Sequence, residues 1–572
     1  MRRPSPSPLM PLTPIFPSTR LVFIRHLLER LFRGAASDVQ SNDRLGGYAF
    51  TIFVALTISL YMSACLSHAQ WSIYADHELR SYLVAYPKLS FSDLPSLLSQ
   101  TEVGYPGELT RYRPINYLLY ATEALAWGNN YFLLNIARIV GLCIFSIFLF
   151  LGFYQFFPAI VACALGALCL TSLYWKFVWI GFGVNEQYLA LLGIPFTWAY
   201  VKLYSQARRG NSDMPVTWAI CLASAVLLAG TKEPMVVLAP ALAVLLAISL
   251  YHERKFDYRL VAAGVAIALM SAVAGVILIG LSAHGSADFY GSPVTSSERV
   301  GKLLHGIGHY PFTIQLLFGA ISFGLREVAR RTIGCQLSLK AIDVAAQFQI
   351  WLLLLSLSQL VFYDGWPAGN RYEFPGELFV FASFLIPLFI TAQIVRARLP
   401  NLWMHYQAVI FIMAAGVATW RGYSDFRNEA AVYVERSHAF TASILKAAAR
   451  AKSQPDAQIV IEAMSPYDLE PIFAVNRFLV SLGVTNPMFV RPHQLTSAVY
   501  PKNLFFQGLI DTIQALSDQG NITKDTGIGT LPGPFLARFK PFSNFSTNAP
   551  CMSVRVNNSP HEGCVTIATV TY

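Results

Sequence analysis

Residues 44–78 read RLGGYAFTIFVALTISLYMSACLSHAQWSIYADHE. The run from 46 to 67 is apolar over the ~20 residues that cross a hydrocarbon core. Arg2, Arg3, Arg20, Arg25, Arg30, Arg33 and Arg44 precede it, and Asp76, His77 and Glu78 follow it. Basic segments are retained in the cytoplasm, so the stretch reads as a first membrane crossing that starts inside and delivers two carboxylates outside.

The rest of the chain has the composition this start implies. Its 572 residues are 54% hydrophobic and 13% charged, with mean hydropathy +0.46; soluble domains carry about 25% charged residues. Apolar runs at 46–67, 133–153, 159–175, 186–204, 215–231, 234–251, 259–282, 308–325, 345–363, 376–395 and 402–420 predict about eleven crossings. Loops carrying Arg208 and Arg209, Arg254 and Lys255, Arg326, Arg330 and Arg331, and Arg396 and Arg398 then fall on the cytoplasmic side. Charge of +10 is thus explained by topology, and a nucleic-acid partner is disfavoured.

Three regions are expected: a cytoplasmic basic arm over 1–45, a transmembrane catalytic module over 46–420 with its first outer loop at 68–131, and an outer region over 421–572. The last holds a helical run at 431–450, a strand-like run at 457–461, a helical pattern at 468–482 and a strand-like run at 487–490, an order that predicts a small α/β domain. In an oxidising compartment Cys551 and Cys564 can pair there; two buried free thiols are the alternative.

Chemistry is expected where polar residues interrupt this pattern. In an extended segment Asp76 and Glu78 point to one face, and either can take a proton from an attacking hydroxyl; a solvated loop is the plain alternative, and His77 reads as a neighbour. Arg111 and Arg113 flank Tyr112 before Pro114, and guanidinium groups there bind a phosphate or ordinary anionic headgroups. Arg138, three residues from Asn135, turns into the bundle or toward the headgroups because charge is costly against lipid. Lys232 and Glu233 either form a turn between spans or bring Lys232 to a phosphate. Glu186 is placed at the acceptor route. Arg371, beside Tyr372 in an outer loop, is a donor ligand or clamps Asp364 or Glu373. His305 and His309 share a helix face without a third ligand, a weak metal case.

A basic start, one crossing, a long outer loop opening with acidic residues, and Arg111-Tyr112-Arg113-Pro114 leading into an aromatic helix together resemble the GT-C superfamily of integral-membrane glycosyltransferases. The layout is loosely that of protein mannosyltransferases and aminoarabinose transferases over 40–420. The resemblance implies a polytopic α-helical GT-C-like bundle of about eleven transmembrane helices with a C-terminal periplasmic α/β domain. It implies a sugar carried by polyprenyl phosphate as donor, and an envelope glycan, lipid or protein hydroxyl as acceptor. Asp76 or Glu78 would be the catalytic carboxylate, and Arg111, Arg113, Lys232 and Arg371 the donor-phosphate ligands. His77, Arg138, Glu186 and Tyr372 would line the cavity. Relatives differ on a divalent cation, Mg or Mn, acting through Asp76 or Glu78. His77 separates the two carboxylates where an adjacent acidic pair is expected, leaving open which is the base. Arginine-rich, short-looped composition favours a bacterial inner membrane. A lipid-linked glycan flippase and an O-antigen polymerase or ligase are the competing expectations.

Overall fold

The computed structural model describes residues 41–72, 90–94, 114–154, 159–171, 175–181, 185–207, 215–232, 312–333, 380–398, 400–492, 504–520, 539–556 except 547, and 565–569, with isolated positions such as Met235 and Gln349. In chain order the helices are α1 (Ser41–Ser63), α2 (Pro114–Trp127), α3 (Tyr131–Tyr154), α4 (Ala159–Leu170), α5 (Trp175–Trp179), α6 (Asn185–Ala207), α7 (Pro215–Thr231), α8 (Phe312–Thr332), α9 (Val380–Arg398) and α10 (Pro400–Ser453). There follow β1 (Gln458–Ala463), α11 (Leu469–Ser481), β2 (Met488–Pro492), α12 (Leu504–Gln519), β3 (Cys551–Val556) and β4 (Val565–Thr569).

Among the described residues, three helices are long and apolar enough to cross a membrane: Leu45–His68, which is α1 with a tight terminal turn, Tyr131–Tyr154 and Phe312–Thr332. The chain is therefore a multi-pass membrane protein. Phe50, Phe53, Leu60 and Tyr61 lie exposed along α1, the side-chain class that lipid covers without cost.

These helices correct the expected GT-C-like bundle of about eleven transmembrane helices with a separate periplasmic α/β domain. The run at 159–175 forms a helix of 12 residues, about 18 Å long and short of the ~30 Å core. The run at 186–204 carries Glu186 in its first turn and Pro195 inside. Helix α7 has 17 residues, and α9 contains Pro387 with an apolar stretch of only Ile386–Val395. The run at 402–420 is the beginning of α10, which continues for 54 residues, about 80 Å, passing position 421 without a break. Expected crossings at 234–251, 259–282 and 345–363 lie outside the described residues, apart from isolated positions.

Beyond α10 the four strands form one sheet in the order β2-β1-β3-β4. Strand β1 pairs in parallel with β2 (Val460 with Phe489) and with β3 (Val460 with Ser553), while β3 and β4 are antiparallel. Parallel neighbours require helical crossovers, which α11 supplies between β1 and β2. One face of the sheet, including Ile459, Ile461, Val490 and Val554, shares a single apolar cluster with Phe440 of α10, Phe478 of α11, and Trp71, Tyr120, Leu134 and Tyr188 from the helix group. The sheet is thus packed into the helix ends rather than suspended from them.

Cys551 is a buried free thiol at the start of β3. Cys564 lies outside the described residues. With Cys551 free, the expected bridge gives way to the free-thiol alternative for Cys551. Burial raises the pKa of this thiol, and Glu462 raises it further while Arg491 offsets part of the effect.

Candidate functional site

The first turn of α6 is the polar centre of the helix group. Asn185, Glu186, Gln187 and Tyr188 are consecutive, so they leave the axis in four directions about 100° apart. Each meets a different segment. Asn185 Oδ1 accepts from Tyr120 Oη of α2 at 3.0 Å. Glu186 Oε1 accepts from Lys232 Nζ, just past α7, at 2.6 Å. Gln187 Nε2 donates to the Gly181 carbonyl at 3.0 Å, and Tyr188 Oη accepts from Arg138 Nη2 of α3 at 3.5 Å.

Two ion pairs lie within this arrangement. Arg138 holds Glu123 of α2 in a bidentate fork, with Nη2 to Oε2 at 2.6 Å and Nη1 on Oε1, while its guanidinium lies 5.4 Å from the Tyr188 ring centre. Tyr120 meets Tyr188 edge-on at 5.6 Å. The second pair, Lys232 and Glu186, is 1% and 5% exposed. Removing charges from water costs several kcal/mol per ion before attraction returns any of it. Pairing and added hydrogen bonds offset that cost, and Glu186 also gains from its place at a helix N-terminus.

The chain leaving α1 is strapped beside this centre. Asn135 Nδ2 of α3 donates to the Ala69 carbonyl at 2.8 Å. From the other side α10 holds Gln70 N through Ser437 Oγ at 2.9 Å, Trp71 N through Thr441 Oγ1 at 3.1 Å, and the His68 carbonyl through His438 Nε2 at 2.6 Å. The Trp71 ring then packs 5.9 Å from Phe478 and 6.4 Å from Tyr131. On α2, Pro114 occupies the first helical position, where its fixed φ and missing N–H suit a helix start, and Ile115 rests on Gly230 of α7: a Cβ at Gly230 would come 2.5 Å from Ile115 Cγ1. The segment leaving α1 is therefore held between α3 and α10, and the start of α2 rests on the end of α7.

No family model matches this chain, and no curated protein matches it. The site accordingly rests on its own geometry.

Of the residues singled out by sequence, Asp76, His77, Glu78, Arg111, Arg113, Arg371, Tyr372, His305 and His309 lie outside the described residues. The structure brings Arg138, Glu186 and Lys232 to one centre, with Lys232 joined to Glu186. Among the described residues no three His, Cys, Asp or Glu side chains gather as a metal site; Asp76 and Glu78, the expected route for a divalent cation, lie outside them. Glu123, Tyr120 and Tyr188 were missed. Their signal was present: Glu123 is the one charged residue in the helix PINYLLYATEALAW, and Arg138 is the one charged residue in α3. Single opposite charges in neighbouring apolar helices are candidates for each other.

Proposed function

We propose that this protein is a bacterial inner-membrane glycosyltransferase that moves a sugar from a polyprenyl-phosphate donor to a hydroxyl of an envelope glycan, lipid or protein. The observation that supports this reading is the pair of buried ion bridges, Glu123 to Arg138 and Glu186 to Lys232. Ionisable groups inside a membrane helix group mark function by default because they are costly to hold there. In the sequence Asp76 follows Ser72 by four residues and Arg113 directly precedes Pro114.

In this reading Asp76 or Glu78 deprotonates the acceptor hydroxyl, which attacks the anomeric carbon as the C–O bond to the lipid phosphate breaks, inverting the sugar carbon. Arg111, Arg113 and Arg371 are the cations left to meet the departing phosphate, since Lys232 is held by Glu186. Fixed positive charge aimed at a developing oxyanion is the largest single source of rate in such sites. The resemblance to GT-C enzymes enters through this chemistry and not through a helix count. A flippase can also use buried ion bridges, by breaking and remaking them during exchange of access.

Mass spectrometry of envelope glycans from cells carrying wild type, Asp76→Asn, Glu78→Gln or no protein, at matched membrane levels, tests the proposal. One carboxamide variant should lose the same sugar mass as the deletion. If the deletion changes the glycans while both variants keep them, the carboxylate mechanism fails and the flippase or polymerase reading takes its place.

A further inference from the structure

Two buried amides of the centre carry an unmatched oxygen. Asn116 is 3% exposed and Gln187 fully buried, and neither Asn116 Oδ1 nor Gln187 Oε1 has a hydrogen-bond partner among the described residues. Gln187 is tied by its other end, Nε2 donating to the Gly181 carbonyl, while nearby Asn135 donates to the Ala69 carbonyl and Asn185 accepts from Tyr120. A buried acceptor left unmatched is costly, so a group that completes it binds more tightly.

Its position limits what the group can be. Asn116 lies three residues after Arg113 and one turn before Tyr120, on the buried stripe of α2 with Tyr117, Tyr120, Ala121 and Ala124. Its neighbour Ile115 rests on Gly230, two residues before Lys232, and Tyr120 reaches Asn185, one residue before Glu186. The carboxamide is thus on the face of α2 that meets the end of α7 and the start of α6, the two ends joined by the Glu186–Lys232 bridge. An ionised phosphate offers acceptors only and cannot satisfy Oδ1. A prenyl tail offers nothing, and Lys232 is held by Glu186. A ring hydroxyl fits, because it donates and accepts, and so suits the carboxamide in either orientation.

We propose that Asn116 forms a hydroxyl-binding subsite for the sugar headgroup of the lipid-linked donor, with Oδ1 accepting from a ring hydroxyl. This rests on the glycosyl-transfer reading above. Asn116 makes no covalent step; it distinguishes a sugar-bearing lipid from the bare lipid phosphate.

The test uses the full chain in lipid nanodiscs and compares binding of undecaprenyl phosphate with undecaprenyl-phosphate glucose, galactose, mannose and N-acetylglucosamine. Wild type should bind at least one sugar-bearing lipid more tightly than the bare phosphate. Asn116→Ala and Asn116→Leu should weaken that sugar-bearing lipid about tenfold or more while leaving undecaprenyl phosphate unchanged. Asn116→Ser, which keeps an acceptor oxygen, should fall between them and wild type. If wild type prefers a sugar and all three variants keep the preference, the amide is satisfied by something other than the sugar and the subsite is overturned while the transferase reading stands. Equal loss of both lipids in all three variants assigns Asn116 to packing and also overturns it. If wild type shows no preference for any sugar-bearing lipid, both readings fall.

Discussion

Two buried polar regions in the same helix group are built on opposite terms. At the helix ends, α2, α3, α6 and α7 are joined through Glu123 with Arg138 and Glu186 with Lys232. Between α8 and α9 the polar contact is neutral: Gln349 Nε2 donates to the Ser383 carbonyl at 2.6 Å and to Ser322 Oγ at 3.4 Å, beside an edge-on pair of Phe318 and Phe384 at 5.2 Å. Neutral side-chain bonds of this kind hold helices together at a modest gain, averaging about 0.6 kcal/mol in a membrane protein. Four buried charges are a costly means of achieving the same end, since apolar packing of similar volume often serves as well or better. The charged centre therefore reads as a working site and the neutral seam as fastening.

The strongest way to break this comparison is to remove one charge from the most buried pair. Lys232→Met leaves Glu186 with its bridge gone and should cost about 3–5 kcal/mol, read as a fall in the thermal unfolding midpoint in detergent. Lys232→Met with Glu186→Leu should recover most of that stability and none of the sugar transfer. A double variant that transfers sugar as wild type does would reduce the bridge to fastening and dissolve the distinction.

Glu123→Gln is gentler, because Gln can still accept from Arg138. Loss of the charge from a bidentate bond should cost about 1.5–3 kcal/mol. It should lower kcat more than it raises KM, because Arg113, a proposed phosphate ligand, directly precedes α2 in the chain. An unchanged kcat with normal stability would separate α2 from the chemistry. The same link can be sharpened sterically: Gly230→Val places new carbon against Ile115, at about 1–3 kcal/mol for overpacking, and should reproduce the kinetic loss without altering any charge. If it destabilises the protein and spares kcat, the position of α2 does not govern turnover.

What could be read from sequence divides along the same line. Helices α1, α3 and α8 announced themselves, because lipid-facing sides keep whole stretches apolar. Strands β1 and β2 stand where the runs at 457–461 and 487–490 placed them, because buried parallel strands are continuous apolar segments. Helix α10 did not, since 402–420 and 431–450 look like separate elements. The one glycine between them, Gly422, is where α10 approaches α4 closely; a Cβ there would lie 2.4 Å from Thr171 Cβ. It serves contact, not termination. The ion pairs were least legible: their partners are 15 and 46 residues apart, and no local period records which helix a charge will face. Lys232 next to Glu233 looked like a turn, and Glu186 like the rim of a route, until the end of α7 and the start of α6 were seen to meet.

The smallest expected effect completes the comparison from the neutral side. Gln349 is 1% exposed and Ser322 and Ser383 are fully buried, so Gln349→Leu removes two donated bonds while keeping the volume close. Pro387, four residues on, has no N–H to offer the Ser383 carbonyl, so the variant takes away that acceptor's side-chain donor, and the loss should lie toward the upper end of about 0.6–1.7 kcal/mol, the range of side-chain bonds between membrane helices. Sugar transfer and lipid binding should match wild type once membrane levels are equal. Should Gln349→Leu abolish transfer at wild-type stability, buried charge would no longer identify the working region, and the polar path through the protein would have to include α8 and α9.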